Sequence, residues 1–285
     1  MGIGDHAVTS GPFSVAAVQM TSGVDVAANL VRARELLGEA AARGARLAVL
    51  PENFALMAQR SEQRRAVAEA DGDGPIQQML AASAREHGLT IVGGTIPLQV
   101  PGEHRVAPAS LVYGPDGRRI GRYDKIHLFD VDVPGATESH RESAGMVPGR
   151  EACVFDTPAG RIGVAVCYDL RFPELFRRLG ELGADYFVVS AAFTVPTGRA
   201  HWDVLVRARA IENLCHLVIS AQVGEHANGR GTYGHSMVVD GWGTVLDQLP
   251  AGEGIAVGQI DLARQARVRR EFPALEHRVF GRTIT

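Results

Sequence analysis

The feature that most restricts how this chain can fold is the regular return of short, near-continuous apolar runs, separated by segments with helical spacing. Residues 13–20 (FSVAAVQM), 46–50 (RLAVL), 89–93 (LTIVG), 186–190 (YFVVS) and 217–221 (LVISA) are built mostly from Val, Ile, Leu, Ala and Phe. Runs of this length without polar alternation are the pattern of strands covered on both faces. Between the first two, residues 24–42 set Leu30, Ala33, Leu36 and Leu37 at helical intervals behind Asp25, whose carboxylate can cap the first turn. Residues 74–86, 172–182 and 200–213 read as further helices, and 236–240 and 254–261 as further strands. Strands alternating with helices define an α/β class. Two hairpins interrupt it: 109–113 with 118–123 around Gly114-Pro115-Asp116-Gly117, and 152–157 with 161–166 around Pro158-Ala159-Gly160. They argue against a purely parallel barrel.

Composition removes several function classes. A net charge of -3 is the wrong balance for a nucleic-acid binder, which needs a basic excess. The short cluster of Arg267, Arg269 and Arg270 reads as a solvated helix face. No apolar stretch reaches the roughly 18 residues of a membrane helix, so no membrane partner is expected. Three cysteines without a CxxC are no disulfide framework and suit a reducing cytosol; residues 1–10 lack the basic and apolar parts of a signal peptide. The expectation is a cytoplasmic protein with one domain over 1–285, residues 1–11 being a loose leader, because no Pro- or Ser-rich linker divides the chain. GxSxG, HExxH, paired CxxC and GxxxxGK[ST] are all missing, which gives no support to a serine-hydrolase elbow, a zinc site or a phosphate loop. No metal or cofactor is expected, and residues 252–254 read as a turn.

The chemistry concentrates in three segments. Cys167 closes the apolar run 161–166 (RIGVAV) and is followed at once by a polar turn and a helix, YDLRFPEL. Such a turn sets a side chain beside backbone N–H groups and a helix N-terminus, both of which favour a thiolate and a developing oxyanion. By spacing alone the same residue can equally be a small buried hydrophobe. Cys153 and Cys215 lie inside strand or helix patterns and read as core. A thiol is only slightly ionised at neutral pH and needs a base. Glu52 follows the buried run 46–50 and Pro51; a carboxylate that is costly to desolvate is suited to take up a proton, although a surface loop carboxylate fits the same position. Lys125, among large apolar neighbours in YDKIHLFD, can hold an oxyanion or can extend its head into water. The loop over 127–149 is long and polar, as functional loops are.

Taken together, PENFA with Glu52, YDKIHLFD with Lys125 and GVAVCYDLRFPEL with Cys167 resemble the nitrilase superfamily of carbon–nitrogen hydrolases, in the family's order and across roughly residues 13–280. The resemblance implies an α/β fold of the four-layer αββα sandwich type, pairing through one helical layer into homodimers or higher homo-oligomers. It implies a triad in which Cys167 attacks, Glu52 is the base and Lys125 stabilises the oxyanion with the N–H of Tyr168. A second glutamate often follows the family's lysine; Glu142 in HRES matches that context best, with Glu138 as rival. Cys-Tyr-Asp-Leu-Arg-Phe-Pro-Glu, in place of the Cys-Trp-Glu of nitrile-cleaving members, points to the Nit amidase branch. TGRAHW, RARAIE and YGHSMVVD look most like deaminated glutathione amidases, with ω-amidases near; HLFDVDVPG is shared by both. Their substrates carry an amide at one end and an α-keto carboxylate at the other. Arg171 can receive that carboxylate bidentately, Thr197 can add a hydroxyl, and Tyr168 and Phe193 can wall the pocket. An N-carbamoyl amide hydrolase and a non-catalytic relative are the rival readings.

Overall fold

The computed structural model describes residues 11–132, 139–227 and 229–280. The first half supplies strands β1 (Phe13–Gln19), β2 (Ala45–Val49), β3 (Thr90–Val92), β4 (Ile96–Gln99), β5 (Val106–Tyr113) and β6 (Arg119–Asp124), with helices α1 (Val26–Ala42), α2 (Ser61–Ala66) and α3 (Pro75–His87). A small hairpin of β7 (Asp130–Asp132) and β8 (Ser139–Arg141) follows. The second half adds β9 (Val154–Thr157), β10 (Gly160–Val166), β11 (Tyr186–Ala191), β12 (His216–Ala221), β13 (Val223–Glu225), β14 (Gly231–Tyr233), β15 (Ser236–Val239), β16 (Val245–Leu249) and β17 (Gly254–Ile260). Its helices are α4 (Pro173–Glu181), α5 (Val195–Asn213) and α6 (Leu262–Glu271).

One sheet runs β17-β1-β2-β3-β5-β4, with β6 also on β5; the other runs β16-β15-β12-β11-β10-β9. Each has a parallel centre, β1-β2-β3 in one and β10-β11-β12 in the other, and antiparallel flanks. Both expected hairpins form, β5 with β6 and β9 with β10. Alternate residues of β1 serve two cores. Phe13, Val15 and Ala17 join the core formed with the second sheet, while Ala16 and Val18 join Leu36, Leu37 and Leu80 of the outer helices. That division is why the run 13–20 shows no polar alternation: neither face of the strand meets water. Helices α1 and α3 cover the first sheet, and α4 and α5 the second, while β1 and β17 pack against β12, β15 and β16 across the middle. The order is α–β–β–α, as the family resemblance implies. Each fully buried Leu or Val contributes about 1.5–3 kcal/mol.

Polar pins join the sheets at one end. Ser190 Oγ donates to the Leu50 carbonyl at 2.8 Å, Ser220 Oγ donates to the Val18 carbonyl, and Gln222 Nε2 donates to Ser22 Oγ at 2.8 Å and to the Glu52 carbonyl at 3.1 Å. These buried bonds hold the C-terminal ends of β1, β2, β11 and β12 in fixed register, because breaking one would leave an unpaired buried group.

Several local expectations change. The Asp25 cap forms, its side chain accepting from the Ala28 N–H. Helix α5 starts earlier than its spacing suggests, at Val195, because Pro196 is compatible with a first turn. Arg269 is not simply solvated: its guanidinium donates to the Leu214 and Asn213 carbonyls at the end of α5. Cys153 is only half-buried, just before β9, and packs against the edge of the core rather than within it. Cys215 is fully buried. Among the described residues, no helix is long and apolar enough to cross a membrane.

Candidate active site

Glu52, Lys125 and Cys167 come from segments far apart in the chain and meet where the parallel strands end. Glu52 lies just past β2, in a tight turn continued by Asn53 with a left-handed φ of 58°. Gly94 lets this turn close, since a Cβ there would sit 2.2 Å from the Pro51 carbonyl oxygen. Glu52 is 4% exposed, so it is no surface carboxylate. Lys125 follows β6, anchored by its N–H to the Pro108 carbonyl and by its own carbonyl to Gly149. Its side chain is fully buried, and Nζ lies 2.8 Å from Glu52 Oε1 and 2.8 Å from Glu142 Oε2. The ammonium is therefore not extended into solvent.

Glu142 opens a single helical turn within the loop 127–149, and its Oε2 also accepts the Phe129 N–H at 2.9 Å. The structure thus brings Glu142 to Lys125; Glu138, the rival position, falls outside the described residues. Cys167 begins a 3-10 turn, Cys167–Arg171, directly after β10. Its φ of 48° is left-handed, a conformation that costs a non-glycine residue on the order of 1 kcal/mol or more and that other contacts must hold in place.

The electrostatics follow from burial and charge. Burial alone would lower Lys125, but the Glu142 and Glu52 carboxylates outweigh it and hold the ammonium above its ordinary range. Burial works to raise Glu142, yet the Lys125 charge and the Phe129 N–H keep it below the usual carboxylate value. Burial, with the Glu52 charge, pushes the Cys167 thiol well above the ordinary thiol range, only partly opposed by Lys125 and a backbone hydrogen bond with Ala192. The resting arrangement is a neutral thiol beside an ion-paired ammonium between two carboxylates. It can pass a proton to a carboxylate while the ammonium meets negative charge arising nearby.

A small cavity opens on this cluster, lined by Glu142, Cys167, Tyr168, Arg171, Phe193 and Thr197 among others. All four expected pocket residues therefore line the cavity that Cys167 also lines. Arg171 carries no carboxylate partner within ion-pair distance among the described residues. Its Nη1 lies 3.2 Å from His201 Nδ1, and its guanidinium sits 5.2 Å from the Phe193 ring and 6.0 Å from the Tyr168 ring. Burial lowers it from the usual guanidinium value. The Thr197 hydroxyl is already engaged locally, with Thr194. A wider groove lies elsewhere, lined by Arg105, Glu103, Arg122 and Asp71, but these charges pair with one another and no nucleophile faces it.

The sequence profile described as Carbon-nitrogen hydrolase matches residues 14–270. The chain belongs to the carbon–nitrogen hydrolase family. It is 41% identical to the deaminated glutathione amidase of Synechocystis sp. (strain PCC 6803 / GT-S), over 94% of this chain and 99% of that protein. It is 35% identical to the omega-amidase NIT2 of Danio rerio, over 93% and 94%. Among solved structures, Saccharomyces cerevisiae Nit3, a member of branch 10 of the nitrilase superfamily, superposes with a TM-score of 0.85 at 31% identity, covering 95% of this chain and 98% of that one. The protein is thus a hydrolase acting on carbon–nitrogen bonds other than peptide bonds.

Within this carbon–nitrogen hydrolase four cavity residues were not expected from the sequence: Phe129, Ala192, Thr194 and Arg230. Arg230, between β13 and β14 in Gly229-Arg230-Gly231, lines the cavity and donates to the Ala192 carbonyl. Only its position just upstream of the YGHS segment could have drawn notice. Phe129, on the same wall, lies within the HLFD motif and packs edge-on to Tyr168 with ring centroids 5.0 Å apart.

Proposed function

We propose that this hydrolase is an amidase that cleaves its substrate through a thioester on Cys167. Glu52 takes the thiol proton as the sulfur attacks the amide carbon. Lys125 and the Tyr168 N–H hold the oxyanion. The leaving nitrogen accepts a proton from Glu52 and departs, leaving the acyl–sulfur bond. Water, deprotonated by Glu52, then attacks the thioester and releases the acid and the free thiol. Glu142 holds Lys125 in its charged form throughout. The observation that carries this reading is the placement of a buried thiol, on a left-handed turn, at the mouth of a cavity and beside the Glu52–Lys125–Glu142 cluster.

The substrate proposed is a small amide bearing a carboxylate, with deaminated glutathione first. Arg171, facing the cavity with no carboxylate partner among the described residues, supports an anionic group on the substrate, and the similarity to the Synechocystis amidase supports the choice. α-Ketoglutaramate is the second reading, favoured by the likeness to the Danio rerio omega-amidase. Release of the free acid from each, compared at equal concentration, decides between them; carbon dioxide released together with ammonia would instead identify an N-carbamoyl amide hydrolase. Intact-mass detection of an acyl adduct, mapped to Cys167, tests the thioester, and undiminished turnover by Cys167→Ala would remove it.

A single domain, a cytoplasmic setting and assembly into homodimers complete the proposal. An exposed apolar face supports the last: Val204 and Ile211 on α5 are 71% and 45% exposed, and Trp242, 58% exposed, packs on Phe272 beside them. Sedimentation at micromolar concentration should report a dimer or larger, and a Val204→Glu, Ile211→Glu double variant a monomer.

A further inference from the structure

Lys125 and Cys167 belong to different sheets, so the distance between ammonium and thiol depends on whatever joins their segments. One buried carboxylate does so. Asp169, two residues past the nucleophile, is fully buried. Its Oδ2 accepts the Tyr123 hydroxyl at 2.6 Å and the Val166 N–H at 2.8 Å. Its Oδ1 accepts the His127 N–H at 3.1 Å and lies 2.7 Å from His127 Nδ1, which donates in the tautomer this acceptor selects. Tyr123 and His127 stand two residues before and two after Lys125; Val166 stands directly before Cys167. The four acceptor positions of a carboxylate are therefore all filled, three by residues flanking Lys125 and one by Val166 beside the nucleophile. His127 is further held flat against Phe172, with ring centroids 3.6 Å apart and planes 7° from parallel, on the chain leaving the nucleophile turn.

We propose that Asp169 is a positioning residue that clamps the Lys125 segment to the Cys167 turn and so sets where the ammonium stands relative to the sulfur. This rests on the triad reading above. A carboxylate suits the task because it only accepts, so donors from two segments can converge on it. An amide of the same shape turns one of its two ends into a donor, which then opposes either Tyr123 and Val166 or the two His127 groups. The left-handed backbone at Cys167 adds to the demand, because a strained turn keeps its geometry only when its surroundings fix it.

The test is the rate of Cys167 alkylation by iodoacetamide as a function of pH, read by peptide mapping, together with kcat and KM. With the ammonium displaced, the thiolate loses the Lys125 charge that favours it. In Asp169→Asn the alkylation rate should fall at neutral pH and its rise should move to higher pH, with kcat down by about 10²-fold, the scale of a misplacement near 1 Å, and KM little changed. Simple loosening of the fold would act in the opposite direction, since an exposed thiol ionises at lower pH than this buried one. Should Asp169→Asn fail to fold, Tyr123→Phe removes one hydroxyl of the clamp and should give a smaller shift of the same sign. An unmoved or downward-moved alkylation profile in the folded variant overturns the clamp. Lys125→Ala separates the two layers: if it leaves the profile unmoved, the triad reading fails and the clamp with it; if it moves the profile while Asp169→Asn and Tyr123→Phe do not, the clamp alone fails.

Discussion

Cys167 and Cys215 are two thiols of almost equal burial, 6% and 0% exposed, and burial raises both, Cys215 to about 12 and Cys167 well above the ordinary thiol. Neither burial nor a perturbed thiol separates a nucleophile from a filler. Their neighbours do. Cys215 joins α5 to β12 with an ordinary backbone, its sulfur donating to the Asp185 carbonyl at 3.3 Å inside a closed core. Cys167 stands on a left-handed turn, with Glu52, Lys125 and Glu142 within electrostatic reach and an open cavity before it. A reactive cysteine here is defined by what can take its proton and where a substrate can stand.

The sharpest way to break this contrast is to remove each sulfur. Cys167→Ala should lower turnover by on the order of 10⁴-fold or more, as loss of a nucleophile from a catalytic triad does, whereas Cys215→Ala should leave kcat/KM within about twofold; steady-state assays of the two purified variants report it, and equal losses would erase the distinction. Removing the cation comes next. Lys125→Ala should reduce kcat by about 10²–10³-fold, as loss of one oxyanion donor does. It also leaves Glu52 and Glu142 buried without their counter-charge, and breaking such a buried pair destabilises by about 3–5 kcal/mol, measurable by urea unfolding.

A smaller effect is expected at the far wall of the cavity. Arg171→Leu should raise KM for a carboxylate-bearing amide by roughly tenfold or more, the loss of one charge-assisted hydrogen bond, while an uncharged amide of similar size should be hydrolysed about as before. A KM that rises equally for both would mean that Arg171 shapes the pocket without reading charge. The smallest effect returns to Cys215. Its folded thiol holds its proton to about 12 while an unfolded thiol ionises from about 9, so across that window the native state binds more protons and stability falls as pH rises. Melting temperatures of wild type and Cys215→Ala taken from pH 8 to 11 should converge toward the alkaline end. Lys125 acts with the same sign from its ordinary value upward, and Glu142, held low, withdraws stability only as pH falls below the usual carboxylate range.

Much of this protein was legible because its signals are local. Strand runs covered on both faces, the Asp25 cap and the Gly-Pro-Asp-Gly hairpin depend on side chains a few residues apart, and each formed near where spacing placed it. The motifs around Glu52, Lys125 and Cys167 pointed to the family. What sequence could not weigh were elements whose stability is tertiary. Strands β4 and β16 are short and lack a run of their own, and they form because a neighbouring strand supplies their hydrogen bonds. Whether Cys153 was core, whether Glu142 reached the lysine and whether Arg230 faced the cavity depended on chain crossings distant in sequence. The choice of reactive cysteine has the same origin. Composition and spacing put Cys167 at the end of a buried strand; only the packing of two sheets brought the Glu52 and Glu142 carboxylates, the Lys125 ammonium and Asp169 to it, because charges shape one another through space over a few ångströms, whatever their separation along the chain.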